Sequence, residues 1–379
     1  MLPLIQGAGP QALIRPVTLD DRPELEELIN RDPIAFLYAA EHLEFFGLPA
    51  SSALSNYRSA HGFMGIFVSQ QESQASAVTA LARLPRAGDI KRRLRSAAQA
   101  FVSPLSQRGA SSLTTGLKAG AAIPGQSEAL SVLAQGTADF RMVGAFWLGA
   151  NCVPIHIPPE YRRQVASVVA KASRNLASIF GVAQDVLGLW EVLRHRVATP
   201  FSVRENQPLL YLPPERELKA FSQQPLYRAG LPLTSLASKG VRWARPADRP
   251  SLIKASVAMF IEEVGYDPLE RDPAGYTGRI DEFIKTGRSL VACNRDGTVV
   301  FKVDIGLANG QYCQVQGVWL HPSYRGRGIS KVLLAQAFEL IRSRHRHISL
   351  YVNDYNRRAC GLYTGLGLEQ RGKFTSILF

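Results

Sequence analysis

Four consecutive residues, Arg325-Gly326-Arg327-Gly328, separate an apolar stretch, Gly317-Val318-Trp319-Leu320, from a segment with helical spacing that begins at Ile329. Gly326 and Gly328 carry no Cβ, so a ligand can approach the main chain there. The N–H groups that open the following helix have no partner inside it, and they lie at the positive end of its dipole. Residues of these types in this order make a seat for a phosphate or pyrophosphate, with Arg325 and Arg327 adding charge at the rim. A ligand-free basic glycine turn is the competing reading of the loop taken by itself.

Positioning this loop requires a strand ending at Leu320, a turn at His321-Pro322 and a helix running to about Arg344. Ile329, Val332, Leu333, Leu340 and Ile341 are among its apolar positions, and Arg342, Arg344, His345, Arg346 and His347 suit the negative end of its dipole. Upstream, helices are predicted from Leu252 to Val264 and from Gly278 to Thr286. A hairpin of residues 289–293 and 299–305 closes at Asp296-Gly297, and Tyr312–Leu320 is the next strand. Downstream come a strand over Ile348–Val352, a helix over Arg357–Thr364 ended by Gly365 or Gly367, and a last strand over Phe374–Leu378.

The first half has a similar order. A strand over residues 13–17 leads to a helix near Pro23, capped by Asp20 or Asp21, and to a second helix over about 33–46. Strands over 63–68 and 141–148, an extended stretch over 152–159, helices over 160–176 and 183–195, and a closing strand Pro208–Leu212 follow. Two short echoes link the halves. Asp21-Arg22-Pro23-Glu24-Leu25 matches Asp248-Arg249-Pro250-Ser251-Leu252, and residues 157–165 match residues 320–328. In the second echo Arg163 and Val165 stand where Gly326 and Gly328 stand, so their side chains would fill a pyrophosphate seat in the first half.

The chain has 379 residues, enough for two domains. No apolar run reaches membrane-spanning length, and the N-terminus lacks a basic region and a long apolar core, so no membrane span and no signal peptide are expected. Cys152, Cys293, Cys313 and Cys360 are far apart with no metal-ligand spacing, which predicts free thiols in a reducing cytoplasm and no metal. The net charge is +13, part of it in residues 69–138, a stretch rich in Ala, Ser, Gln and Gly with one aromatic residue. Such a composition predicts a disordered insertion. Its Lys91-Arg92-Arg93-Leu94-Arg95 run is read as a solvated charge run, ahead of a helix touching nucleic acid or membrane. Residues 213–240, rich in Pro, Gln and Ser, read as a linker.

The loop resembles motif A of the GNAT acyltransferases, Gln/Arg-x-x-Gly-x-Gly/Ala, here Arg325-Gly326-Arg327-Gly328-Ile329-Ser330, with Ser330 departing from the pattern. Residues 353–367 are similar to the family's Asn-x-x-Ala-x-x-Leu-Tyr-x-x-x-Gly-Phe segment, with Leu368 in place of Phe. Asn356 and Tyr363, seven apart, share one helical face. As a whole the chain resembles a tandem-GNAT family whose N-terminal half is a domain of unknown function, and more distantly mycothiol synthase. The insertion is unlike that family.

The resemblance implies an α/β (α+β) fold with two GNAT-like domains, each a mixed, mostly antiparallel sheet flanked by helices. They are expected over 1–212, the degenerate copy, and 241–379, the acetyltransferase. It implies direct transfer from acetyl-CoA, as co-substrate, to an amine of a small molecule or protein. Nucleic acid is disfavoured as a partner, and the oligomeric state is not legible. The main chain of Val318, Trp319 and Leu320 would pair with the pantetheine arm. Arg325, Gly326, Arg327, Gly328, Ile329, Ser330 and Lys331 would hold the pyrophosphate, and Asn356 the arm or a water. Tyr363 is the implied general acid, with a core aromatic as the alternative. The base is open among Glu262, Glu263, Asp304 and a water chain; the acid that serves in some relatives corresponds here to Tyr351. The competing function is a non-catalytic acetyl-CoA sensor or a basic nucleic-acid binder.

Overall fold

The structure, a computed structural model, describes residues 12–52, 62–69, 140–224 and 240–379. Residues 70–138 of the expected insertion, and residues 225–239 of the expected linker, lie outside the described residues.

The first half runs β1 (Leu13–Pro16), α1 (Arg22–Asn30), α2 (Leu37–Phe46), β2 (Gly62–Ser69), β3 (Phe140–Leu148), β4 (Asn151–Ile155), α3 (Arg162–Ala172), β5 (Ser178–Val182), α4 (Ala183–Leu193) and β6 (Ser202–Leu212). A short helix, α5 (Lys219–Ser222), follows. The second half runs β7 (Arg242–Trp243), α6 (Arg249–Val264), α7 (Pro268–Arg271), α8 (Pro273–Lys285), β8 (Ser289–Cys293), β9 (Val299–Asn309), β10 (Tyr312–Leu320), α9 (Ile329–Arg342), β11 (His347–Tyr351), α10 (Arg357–Gly365) and β12 (Glu369–Leu378).

The repeat suggested by short echoes extends to atoms. In the first half Arg15 donates a bidentate pair to Asp21, at 2.6 and 2.8 Å, and the Thr18 N–H also donates to Asp21 at 2.8 Å. In the second half Arg242 donates to Asp248 at 2.6 and 2.7 Å, and the Arg245 N–H donates to it at 2.7 Å. Each arginine lies on the first strand of its half and fastens the aspartate that opens the first long helix. Both aspartates precede an Arg-Pro helix start, where proline's fixed φ and missing N–H are no cost.

The twelve strands among the described residues form one sheet in the order β1-β2-β3-β4-β5-β12-β6-β11-β10-β9-β8-β7. Neighbours are antiparallel except for the β4–β5 and β10–β11 pairs. Two strands are exchanged. The strand predicted to close the first half, β6, pairs with β11 and β12 of the second half, while β12 pairs with β5 of the first. The expectation for Pro208–Leu212 is corrected in length as well: the strand begins at Ser202. Pro208 marks a strand start in sequence, but its missing N–H falls beside a register shift of the β6–β12 ladder.

Cores lie on both faces. Leu333, Leu334, Phe338 and Ile341 of α9 meet Phe301, Val303, Cys313 and Ile348 of the sheet. Val165 and Val169 of α3 meet Ile179 and Val186 in the first half. The described start of the expected linker is docked: Leu218 is buried, Arg342 donates to the carbonyls of Pro213 and Arg216, and Gln336 donates to that of Ser222. The expected helix from 33 begins at Leu37, because Asp32 caps a turn over Ile34 and Ala35 first. The four cysteines are free, and Cys293 and Cys313 are buried as expected.

Candidate functional site

Strands β10 and β11 pair over only three residues, Tyr312 to Gln314 against His347 to Ser349, and then part. The gap between them is a small cleft of about 100 Å³. Val315 to Val318 form one wall and Leu350 to Asn353 the other, with Asn356, Ala359 and Tyr363 of α10, Glu263 of α6 and Gln207 of β6 completing it. Side chains at residues 207, 263 and 363 therefore meet through topology.

The wall on β10 is kinked. Gln316 faces Asp304 and Trp319 faces Lys302, so three steps on β10 match two on β9, a β-bulge. Gly317 sits in it with φ of 60°. The Lys302 ammonium, 1% exposed, donates to the Gly317 carbonyl at 3.0 Å and to Asp304 at 2.5 Å. Ser289 donates to the other Asp304 oxygen at 2.5 Å. A Cβ on Gly317 would stand 2.8 Å from the Lys302 nitrogen, so both the positive φ and the close approach call for glycine.

Beyond the cleft wall β10 leads through a single 3-10 turn, Pro322–Tyr324, to the glycine loop. Arg325 is extended, Gly326 has φ of 76°, and Gly328, with φ of 75°, is the N-cap of α9. No side chain caps that helix, and a Cβ at either glycine would meet nothing within 4 Å. An uncapped helix start with open space beside it fits a pyrophosphate.

The equivalent corner of the first half is closed. The 3-10 turn Pro159–Tyr161 passes directly into α3 at Arg162. Arg163 and Val165, which replace the two glycines, are helical, and Val165 is fully buried. The Arg162 guanidinium lies against Gly188 of α4, where a Cβ would approach within 2.2 Å.

Several site residues found in sequence take more specific positions. Arg325 donates to both carboxylate oxygens of Glu262, at 3.0 and 2.7 Å, and to the Leu320 carbonyl at 2.8 Å. Trp319 donates to Glu262 at 3.4 Å. Arg325 and Glu262 thus clamp the loop to the end of α6 and are taken up with each other. Ile329 turns its side chain into the core, leaving its main chain at the loop. Arg327 is exposed, and the Lys331 ammonium lies 4.2 Å from the Phe221 ring centre. Trp319 and Leu320 are buried, whereas Val318 lines the cleft. Asn356 spends its side-chain oxygen capping α10 on the Ala359 N–H at 3.1 Å. Asp304 is the paired buried carboxylate just described.

Glu263 and Tyr363 share the cleft. Burial pushes the Glu263 carboxyl up, with Lys302 and Arg204 drawing it down and Glu262 raising it further. Burial also pushes the Tyr363 phenol up, and Glu263 adds to this, so it stays protonated at neutral pH. A second cavity, mostly apolar, shares Glu263, Gln316 and Gly317 with the first and reaches Met259, Phe260 and Arg279. Among the described residues no cluster of ligating side chains could hold a metal, and no helix is long and apolar enough to cross a membrane.

Sequence reading missed Lys302 and Arg204. Lys302 had a signal: a charge two positions from Asp304 on an otherwise apolar strand puts both on one face. Arg204 had none, since its importance arises only from strand exchange.

Two stretches of the chain match known family models. A model of the acetyltransferase (GNAT) family matches residues 257–368, and a domain of unknown function, DUF4081, matches residues 132–248. No curated protein matches significantly. Among solved structures, a Drosophila protein is 12% identical, covering 97% of this chain and 99% of its own, with a TM-score of 0.49. A tandem GNAT protein from the clavulanic acid biosynthesis pathway is 12% identical over 97% of this chain and 98% of its own, with a TM-score of 0.41. A GNAT-family acetyltransferase from Colwellia psychrerythraea is 11% identical over 63% of this chain and 82% of its own, with a TM-score of 0.40. The C-terminal half of this chain holds a GNAT acetyltransferase domain over residues 257–368, and all of the lining of the cleft between β10 and β11 except Gln207 of β6 falls within it.

Proposed function

We propose that the chain is an N-acetyltransferase that moves an acetyl group from acetyl-CoA to an amine by direct attack. The reading is carried by one observation: strand β10 lines a cleft that holds a half-buried carboxyl, Glu263, and a buried phenol, Tyr363, and then runs on to a glycine corner and an uncapped helix start. Acetyl-CoA, when bound, supplies the activated acyl group and a thiol as leaving group.

In this reading Gly326 to Lys331 receive the pyrophosphate through main-chain N–H groups. The unpaired edge of β10 from Val315 to Leu320 receives the pantetheine arm as an added strand would be received. The bulge at Gly317, held by Lys302, sets which N–H groups face the carbonyl oxygen of the acyl group. An amine with a pKa near 10 is protonated at neutral pH and must lose a proton before it attacks. Glu263 is the base, because burial raises its proton affinity while it still opens on the cleft. Tyr363 holds the proton that the departing sulfur takes. Glu262 and Asp304 are assigned to structure, since each is bonded to a cation. The domain division at 1–212 and 241–379 is retained as part of this proposal, with a first half that binds no coenzyme.

Calorimetry of acetyl-CoA on the intact chain, followed by thiol release with a panel of amines, tests the reading. Micromolar binding, lost in the Gly326→Val/Gly328→Val double variant, is expected. Binding that survives that change would overturn the seat, and binding without turnover for any amine would leave a sensor in place of an enzyme.

A further inference from the structure

Arg204 is 3% exposed, and none of its three guanidinium nitrogens has a hydrogen-bond partner. A buried, unpaired guanidinium is costly. Burial lowers its pKa to about 10, with Tyr355, Tyr351 and Glu263 acting in the opposite direction, so it remains cationic at neutral pH. It presents donors and no acceptor, in a fork shaped for an oxyanion.

Its place in the sheet says where that oxyanion would sit. On β6, Arg204 faces Ser376 and Gln207 faces Phe374 of β12. Ser376 and Phe374 are two apart, so Arg204 and Gln207 share one face of the sheet. Gln207 lines the cleft, bonded to Ser376 at 2.7 Å and to Asn353 at 3.0 Å. The groups that sense the charge of Arg204 include Glu263 and Tyr351, both of which line the same cleft. The cation therefore stands behind the Gln207 wall of the cleft, within electrostatic reach of the carboxyl assigned as base.

We infer that the acceptor amine carries an oxyanion group, a carboxylate or phosphate, which Arg204 of the exchanged strand receives while the amine faces Glu263. This rests on the acetyl-transfer reading of the cleft. It makes the first half a contributor to acceptor choice through the single strand that it lends.

The test is thiol release by the full chain with matched amines: L-amino acids against their carboxamides, and phosphoethanolamine against ethanolamine. The anionic member of at least one pair should be preferred in kcat/KM by roughly ten- to a hundred-fold, the range of a charge-assisted hydrogen bond. Which pair shows it separates carboxylate from phosphate. Arg204→Gln should bring the anionic member down to its neutral mate, and Arg204→Lys should restore part of the preference, with acetyl-CoA affinity within two-fold throughout. Equal use of both members by the unmodified protein, or equal loss on both in Arg204→Gln, would overturn the inference. An acceptor-independent measurement accompanies it. Arg204→Met should raise the melting temperature of the ligand-free chain by removing an unpaired buried charge; a lowered one would show that the guanidinium is satisfied within the fold and would also overturn it. Absence of acetyl-CoA binding in the unmodified protein sinks the acetyl-transfer reading itself, whereas binding and turnover without anion preference sink only this inference.

Discussion

Replacing Lys302 with Met removes one ammonium and leaves two oxygens without it. Asp304 would keep only the Ser289 hydroxyl, and the Gly317 carbonyl would lose its donor at 3.0 Å. The pair is closed to solvent, with side chains 1% and 9% exposed. Breaking a buried pair by removing one partner costs about 3–5 kcal/mol, because an uncompensated charge stays behind. That is a large share of the roughly 5–15 kcal/mol that holds a typical fold. Removing both charges together, as Lys302→Met/Asp304→Leu, leaves no stranded ion and should cost far less, about 1–3 kcal/mol for the Gly317 carbonyl and Ser289 hydroxyl that lose their partners. Denaturant unfolding of the two single variants and the double variant then yields a coupling energy of several kcal/mol. Acetyl transfer should also fall by on the order of ten- to a hundred-fold in Lys302→Met, because the bulge that aims the β10 main chain loses its pin. Additive single costs, or a Lys302→Met cost under about 1 kcal/mol, would refute the argument that this ion pair holds the bulge.

Tyr363→Phe should lower kcat by about a hundred-fold or more while acetyl-CoA affinity, measured by calorimetry, changes less than two-fold. His42 has its pKa lowered to about 4 by burial, which outweighs a hydrogen bond to the Tyr38 main chain. Below about pH 6.5 the unfolded chain takes a proton that the folded one refuses, so stability should fall by about 3 kcal/mol between pH 6.5 and 4; His42→Phe should flatten that part of a stability–pH profile. Gly317→Ala should destabilise the fold in denaturant titration by more than the roughly 1–2 kcal/mol of left-handed strain alone, since the added carbon meets Lys302 and Asp304. A chain stopped after Gly367 should lose a cooperative unfolding transition for both halves, because β5 and β6 would each be left with a bare edge.

Much of this was readable in the residues. Periodicity placed the long helices, and the Asp296-Gly297 hairpin and the strand Tyr312–Leu320 follow from local turn chemistry. The glycine loop was legible because Gly326 and Gly328 both need positive φ, a property of the residue and not of its surroundings. What was not legible depends on partners distant in the chain. Glu262 and Glu263 are neighbours with the same chemistry, and only the position of Arg325, sixty-odd residues on, separates a clamp from a free carboxyl. Asn356 reads as a ligand-facing amide until the start of α10 claims its oxygen. Strand exchange left no trace at all, since β6 and β12 carry the same alternation whichever neighbours they take.

That exchange also sets a schedule for synthesis. As the chain leaves the ribosome, β5 and β6 emerge long before β12, the strand that must lie between them. At translation rates on the order of 10 residues per second, the nascent first half waits many seconds with two open edges. Such edges invite pairing with other chains, so chaperone dependence during expression, and misassembly when translation is fast or concentrations are high, follow from the order in which the strands are made.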